Sequence, residues 1–271
     1  MTTEEIKKQA KESFAQYTSH YNMKDSKIAL KAKHTYKVAE LCQAIAEAEG
    51  LSEEDVLIAW LCGMLHDVGR FEQVTQYGTF IDAQSVDHAH LSCQILYGTD
   101  ALRLENRCDK VDTSLPLVRQ FYPDESFDHD IFTAVYWHSA YRYPEDLTPR
   151  EKTFCDILRD ADKLDIFRVN LETPLSEIHN IPEEDFYTSK VTPEVYKAFS
   201  EHHTVLRSLK KTPIDNVVGY LSLYWELVYP KSRQIAREAG FLAKLASFES
   251  KDEETRQLFA RMREELGLET E

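Results

Sequence analysis

The chain has 271 residues, 42% of them hydrophobic and 11% aromatic, so it can bury a large core and is too apolar for a disordered segment. Its formal net charge of -15 argues against a general nucleic-acid binder, because an acidic surface repels phosphate backbones, but leaves room for a small phosphorylated ligand. Only 8 Gly and 9 Pro favour long helices over many short strands, and no apolar run approaches the roughly 20 residues needed to span a bilayer.

The opening stretch MTTEEIKKQAKESF is charged and lacks the apolar segment of a signal peptide. Cys42, Cys62, Cys93, Cys108 and Cys155 are widely spaced, with no C-x-x-C pair, and read as reduced thiols of a cytoplasmic protein. Residues 2–19 form an expected first helix. A second is expected over 26–49, where Leu30, His34, Val38, Leu41, Ile45 and Ala48 recur at steps of three and four before Gly50. Ser52 caps a third, with Asp55 in the place of the usual capping-box Glu, and this helix is expected to end near Gly69.

Residues 70–83 are irregular and read as a loop beside the site. Helical spacing returns over 86–97. Residues 98–128 are weakly patterned, with Leu115, Leu117, Val118 and Phe121 on one candidate helix, and another helix is expected at about 129–139. Thr148-Pro149-Arg150-Glu151 is a strong helix start, with Thr as cap, Pro in the first turn and Glu three residues after the cap. That helix should run to about Val169, and further helices are expected over 193–271.

A lone histidine on an apolar helix face, such as His34, is usually a hydrogen-bonded core residue. His66-Asp67 is different, because it ends the very apolar segment LIAWLCGML. A carboxylate there is costly unless it is paired or binds metal, and imidazole with carboxylate suits divalent first-row metals. An acidic cluster, RDADKLD, follows on the capped helix. Helix geometry does not separate its two candidates: Asp162 aligns with Phe154, Leu158 and Asp165, and Asp160 with Ile157 and Leu164.

The order His34, His66-Asp67, then an acidic cluster resembles the HD superfamily of metal-dependent phosphohydrolases, whose pattern is H…HD…D. HDVGRFEQ resembles its HD-x-G-K/R form, and DADKLD its closing motif. The resemblance runs from about His34 to Phe167. It implies an all-α HD-domain helical bundle with extra C-terminal helices. The expected organisation is a single domain over 1–271, with a metal-binding core over about 25–170 and an extension over about 171–271. The resemblance assigns the closing ligand to Asp162. His88 in HAHLSCQIL and His138 in AVYWHS are similar to the added ligands of a subset that binds two metals, H…HD…H…H…D. In that subset Asp67 would bridge both ions, with His34, His66 and Asp162 on one and His88 and His138 on the other.

Two cations about 3.5–4 Å apart can activate a water and clamp phosphoryl oxygens. The implied cofactor is one or two divalent ions, chosen from Mn, Fe, Co, Ni, Zn and Mg. Arg70, three residues after Asp67, is expected to contact a substrate oxyanion, since a guanidinium suits bidentate phosphate binding. Tyr77, Thr79, Asp82, Tyr141, Arg142 and Lys163 are pocket candidates by sequence proximity alone. His90 is expected to lie behind the ligands or to be exposed, and His20, His129, His179, His202 and His203 fall outside the pattern. The expected activity is hydrolysis of a small phosphomonoester, nucleotide or phosphodiester, with no nucleic-acid or membrane partner. Two other readings stay open: a di-iron oxygenase, since some members of that superfamily, the inositol oxygenases, hold two irons on the same ligand set, and a non-catalytic metal-binding sensor or scaffold.

Overall fold

The structure is a computed structural model that describes residues 1–108 and 117–268. Among the described residues there are helices and no β-strand, so the fold is all-α. The chain groups into two compact units, Met1–Ala161 and Asp162–Glu271. None of the helices is long and apolar enough to cross a membrane among the described residues.

The first unit contains α1 (Thr3–Thr18), α2 (Ser26–Ala48), α3 (Glu53–Leu65), α4 (Val68–Tyr77), α5 (His88–Tyr97), α6 (Val118–Phe121) and α7 (Asp128–Trp137). It also holds the first half of α8 (Pro149–Glu172), the helix along which the two units divide. The caps follow the sequence signals. Ser52 accepts a hydrogen bond from the Asp55 backbone N–H at the start of α3. Thr148 and Glu151 bond reciprocally at the start of α8, Glu151 accepting from the Thr148 N–H at 2.7 Å and Thr148 Oγ1 accepting from the Glu151 N–H at 3.3 Å.

α3 is the axis of this unit. Every residue from Val56 to Leu65 is buried, the pattern of a helix covered on all sides rather than on one stripe. It packs against α1, α2 and α7. The approach to α2 is closest at Gly63, where an added Cβ would lie 2.5 Å from Ala39 Cα. A second close approach joins α4 to α5: a Cβ on Gly69 would lie 2.7 Å from both the His88 carbonyl oxygen and the Ser92 nitrogen.

Two expectations need correction here. α3 stops at Leu65 instead of running to Gly69, and a new helix, α4, starts at Val68, so the break falls on the His66-Asp67 dipeptide. Most of the expected loop at 70–83 is that helix. Val68, Phe71 and Val74 recur at steps of three and are buried, and the aromatic Phe71 packs edge-on against Phe14 and Tyr17 of α1. Within 70–83 the irregular backbone is confined to the start of the connection between α4 and α5, which carries a 3-10 turn at Asp82–Gln84. Of the candidate helix near 118, Val118–Phe121 is helical, and Leu115 lies outside the described residues.

The second unit holds α9 (Leu175–His179), α10 (Glu183–Thr188), α11 (Pro193–Ser200), α12 (Ile214–Ser222), α13 (Pro230–Glu238), α14 (Phe241–Ala246) and α15 (Glu253–Glu265). Phe186, Phe199, Val218, Leu221, Phe259 and Met262 are fully buried in it. The buried Asp215 ties its loops together. One oxygen accepts from the Thr192 N–H at 2.8 Å, and the other from Thr192 Oγ1 at 2.6 Å and from the Lys211 and Thr212 N–H groups.

Gly63→Ala is expected to destabilise the first unit. The substitution gains up to about 1 kcal/mol of helix propensity, but it drives a methyl into backbone that cannot swing aside, which costs about 1–3 kcal/mol or more. Chemical denaturation followed by circular dichroism should show the lower midpoint. In the second unit, burial and the nearby Lys210 and Arg207 charges lower His179 to a pKa of about 4. Between that value and the ordinary value of about 6.5 the unfolded chain takes up a proton that the folded chain does not. Stability of this unit should therefore fall as pH drops through that window, and denaturation of His179→Gln at a series of pH values should show a shallower fall.

Candidate metal centre

Five candidate ligand side chains are placed by helix ends or by the α2 face next to them. His34 lies on α2, His66 caps the end of α3, Asp67 caps the start of α4, His88 opens α5, and His138 caps the end of α7. All are at most 4% exposed. Two groups result, in which the candidate ligand atoms lie within 4.8 Å of one another: His34, His66 and Asp67, and Asp67, His88 and His138.

Asp67 belongs to both groups, and its two oxygens divide them. Oδ2 lies 3.5 Å from His34 Nε2 and 3.4 Å from His66 Nε2. Oδ1 lies 3.5 Å from His88 Nε2 and 3.8 Å from His138 Nε2. Within the groups, the Nε2 atoms of His34 and His66 are 3.4 Å apart, and those of His88 and His138 are 3.1 Å apart. Donors about 2.0–2.2 Å from a shared cation stand roughly 3–3.6 Å from each other, so most of these separations have the size a cation imposes.

The ring tautomers point the same way. His66 Nδ1 lies 2.7 Å from the Gly63 carbonyl, and His138 Nδ1 lies 2.7 Å from the Val135 carbonyl. A carbonyl only accepts, so each Nδ1 carries the proton. His88 Nδ1 meets Asp82 Oδ2 at 2.7 Å, again a donor position, and Arg70 Nη2 donates to His88 Nε2 at 3.2 Å. The Nε2 lone pairs of His88 and His138 therefore converge across 3.1 Å, and the cationic Arg70 guanidinium is the group that meets the His88 one here. Asp67 Oδ1, buried, has no hydrogen-bond partner. An orphaned carboxylate oxygen and converging imidazole lone pairs fit a divalent metal.

Charge balance at the site comes from two bases. Burial raises the Asp67 carboxyl, but Lys31, His66 and Arg70 outweigh it and hold the group well below the usual carboxylate range. Lys31 Nζ donates to Asp67 Oδ2 at 2.7 Å. His88 is held below its ordinary value by burial and by Arg70, against the opposing pull of Asp82 and Asp67, which favours the neutral imidazole that binds metal. Burial raises the Asp82 carboxyl, but the His88 hydrogen bond and Arg70 lower it well below the usual range.

Several supporting residues are not apparent in the sequence. Ser92 Oγ accepts from the Gly69 N–H at 2.9 Å and donates to the His88 carbonyl at 2.8 Å, fixing the start of α4 against the start of α5. Arg159 Nη1 donates to the carbonyls of Trp137, His138 and Ala140, which closes the end of α7 that carries His138. Lys31 stands one turn before His34, a spacing that puts both on one face of α2 and that is its only signal in the sequence.

Of the pocket candidates, Asp82 touches the cluster through His88, whereas Tyr77 meets Cys108 Sγ at 3.6 Å and Tyr141 is exposed. His90 stacks on Tyr136, His129 pairs with Glu151 and His202 stacks on Trp225. The five cysteines are buried thiols in no disulfide. The sixth expected ligand, Asp162, is half-buried on α8 as the first residue of the second unit, and its assignment rests on the sequence resemblance.

Asp67→Asn is expected to release metal from both groups, because Asp67 is the residue the two groups share among the described residues, while His88→Ala should lower the content on one side only. Elemental analysis after gel filtration checks this, with circular dichroism to verify the helices. Unchanged stoichiometry in both variants would overturn the two-group arrangement.

The HD domain family model matches residues 32–167, half of the chain. No curated protein and no solved structure matches the chain. The matched stretch contains all five clustered side chains, and HD domains are commonly metal-dependent hydrolases. On the extent of that match, the chain belongs to the HD domain family.

Proposed function

We propose that this chain hydrolyses a phosphate ester of a small molecule, a phosphomonoester, nucleotide or phosphodiester, using one or two divalent cations held around Asp67. When bound, such cations supply an activated water and a Lewis-acid contact to phosphoryl oxygen. Manganese, iron, cobalt, nickel, zinc and magnesium all accept His and carboxylate donors, with softness and geometry setting the preference.

The observation that carries this reading is the inward edge of Arg70. Its Nη1 is anchored by Gln73 Oε1 at 2.6 Å, the Phe80 carbonyl at 2.7 Å and Asp82 Oδ1 at 3.0 Å. The opposite edge faces the cluster: among the described residues Nε is buried without a hydrogen-bond acceptor, 3.6 Å from Asp67 Oδ1, and Nη2 meets His88 Nε2. A buried donor left unmade costs about 1–3 kcal/mol. The Nε–Nη2 edge presents two parallel donors, the geometry that pairs with two oxygens of a phosphoryl group.

In this reading Arg70 binds and orients the oxyanion and offsets charge that grows in the transition state. Lys31 balances the Asp67 carboxylate from the α2 side. The clustered side chains are all buried, so little bulk water reaches the reacting group. The net charge of -15 favours small substrates over long polyanions.

Protein freed of metal and reloaded with manganese, cobalt or nickel should release inorganic phosphate or a phosphomonoester from a panel of phosphorylated compounds under nitrogen. Arg70→Ala should keep its metal and lose about tenfold or more in kcat/KM. Strict dependence on dioxygen and iron would establish an oxygenase instead. Metal binding with no turnover of any phosphorylated or oxidisable compound would establish a sensor or scaffold.

A further inference from the structure

We infer that Asp82 is the positioning residue of the site, aligning the ligand His88 with one carboxylate oxygen and the substrate-facing Arg70 with the other; the inference rests on the metal-dependent reading above.

The need for such a residue follows from where His88 stands. His66 and His138 lie at helix C-termini, and each satisfies its Nδ1–H with the carbonyl three residues earlier, Gly63 and Val135. His88 is the first residue of α5, preceded by loop, so no earlier helical turn offers it a carbonyl. Asp82 Oδ2 takes that place at 2.7 Å and holds the proton on Nδ1. Its Nε2 is then the acceptor side of the ring, taking the Arg70 Nη2 donor at 3.2 Å and lying 3.5 Å from Asp67 Oδ1 and 3.1 Å from His138 Nε2. A carboxylate acceptor also makes the imidazole a stronger donor than a carbonyl would.

Asp82 is itself held. Its Oδ1 accepts from Arg70 Nη1 at 3.0 Å and from Gln73 Nε2 at 2.8 Å. Gln73 is fully buried, and its Nε2 also reaches the Val86 carbonyl at 2.9 Å. The neighbouring Asp87 is engaged elsewhere, where its side chain caps α5 through the Ala89 and His90 N–H groups. An asparagine at 82 can serve His88 or Arg70 but not both. If its oxygen faces His88, its amide hydrogens face the Arg70 guanidinium, donor against donor.

The test is titration of metal-free protein with Mn(II), read by calorimetry and elemental analysis, for the parent, Asp82→Asn, His88→Ala and Asp87→Asn. Asp82→Asn is expected to weaken, by about 10- to 100-fold, the ion whose binding His88→Ala abolishes. It should leave any other ion unchanged, and Asp87→Asn should match the parent. In the active protein Asp82→Asn should also raise KM, through Arg70. Should Asp82→Asn fail to fold, the parent alone decides: NMR of the histidine rings should find the His88 proton on Nδ1, shifted downfield and protected from exchange. A folded Asp82→Asn with parental Mn(II) affinities, or a His88 proton on Nε2, overturns the inference and leaves the proposed function standing. A parent that binds no metal overturns both.

Discussion

Burying a carboxylate costs free energy unless charge and hydrogen bonds compensate it, and Asp67 is 1% exposed at the junction of two helices. Much of the first unit's polar architecture follows from that one group. Lys31 and Arg70 bring positive charge to it, four imidazoles converge on it, and one of its oxygens still lacks a hydrogen bond. Aspartate is among the best residues for capping a helix start, yet Asp67 makes no side-chain cap to α4. Its carboxylate is committed to the cluster, while the helix N-terminus behind it favours the negative charge.

The arrangement depends on helix ends meeting at one place. The break between α3 and α4 delivers His66 and Asp67 together, and α5 and α7 deliver His88 and His138 from a start and an end. Backbone groups exposed at such ends need partners, and the side chains that supply them double as supports for the candidate ligands. Arg159 closes α7 behind His138, and Ser92 links the first turns of α4 and α5. Close helix contacts at Gly63 and Gly69 set the spacing that makes these reaches possible.

Much of this is legible in the primary structure. Sharp caps at Ser52 and Thr148 mark helix starts because side-chain capping is a local event, confined to four residues. The all-helical fold follows from scarce Gly and Pro and from periodic apolar spacing. The apolar run before His66-Asp67 announces a costly carboxylate, and the order of His34, His66-Asp67, His88 and His138 supplies the candidates that the fold gathers into two groups. Where sequence and structure differ, the local signal is short or mixed. α4 reads as a loop because polar residues interrupt its three-residue apolar spacing, and tertiary packing of Phe71 against α1 outweighs that weak local pattern.

The sequence by itself therefore determined the class of fold, most helix boundaries and the identity of the chemically capable residues, since each depends on periodicity, capping or residue type within a short window. Only the tertiary structure decided how the two oxygens of Asp67 are shared, that Lys31 answers its charge, that Asp82 rather than Asp87 serves His88, and that Arg70 turns one edge inward. These are matters of direction and distance between helix ends far apart in the chain, and no local pattern encodes which oxygen or which ring nitrogen will face a given partner.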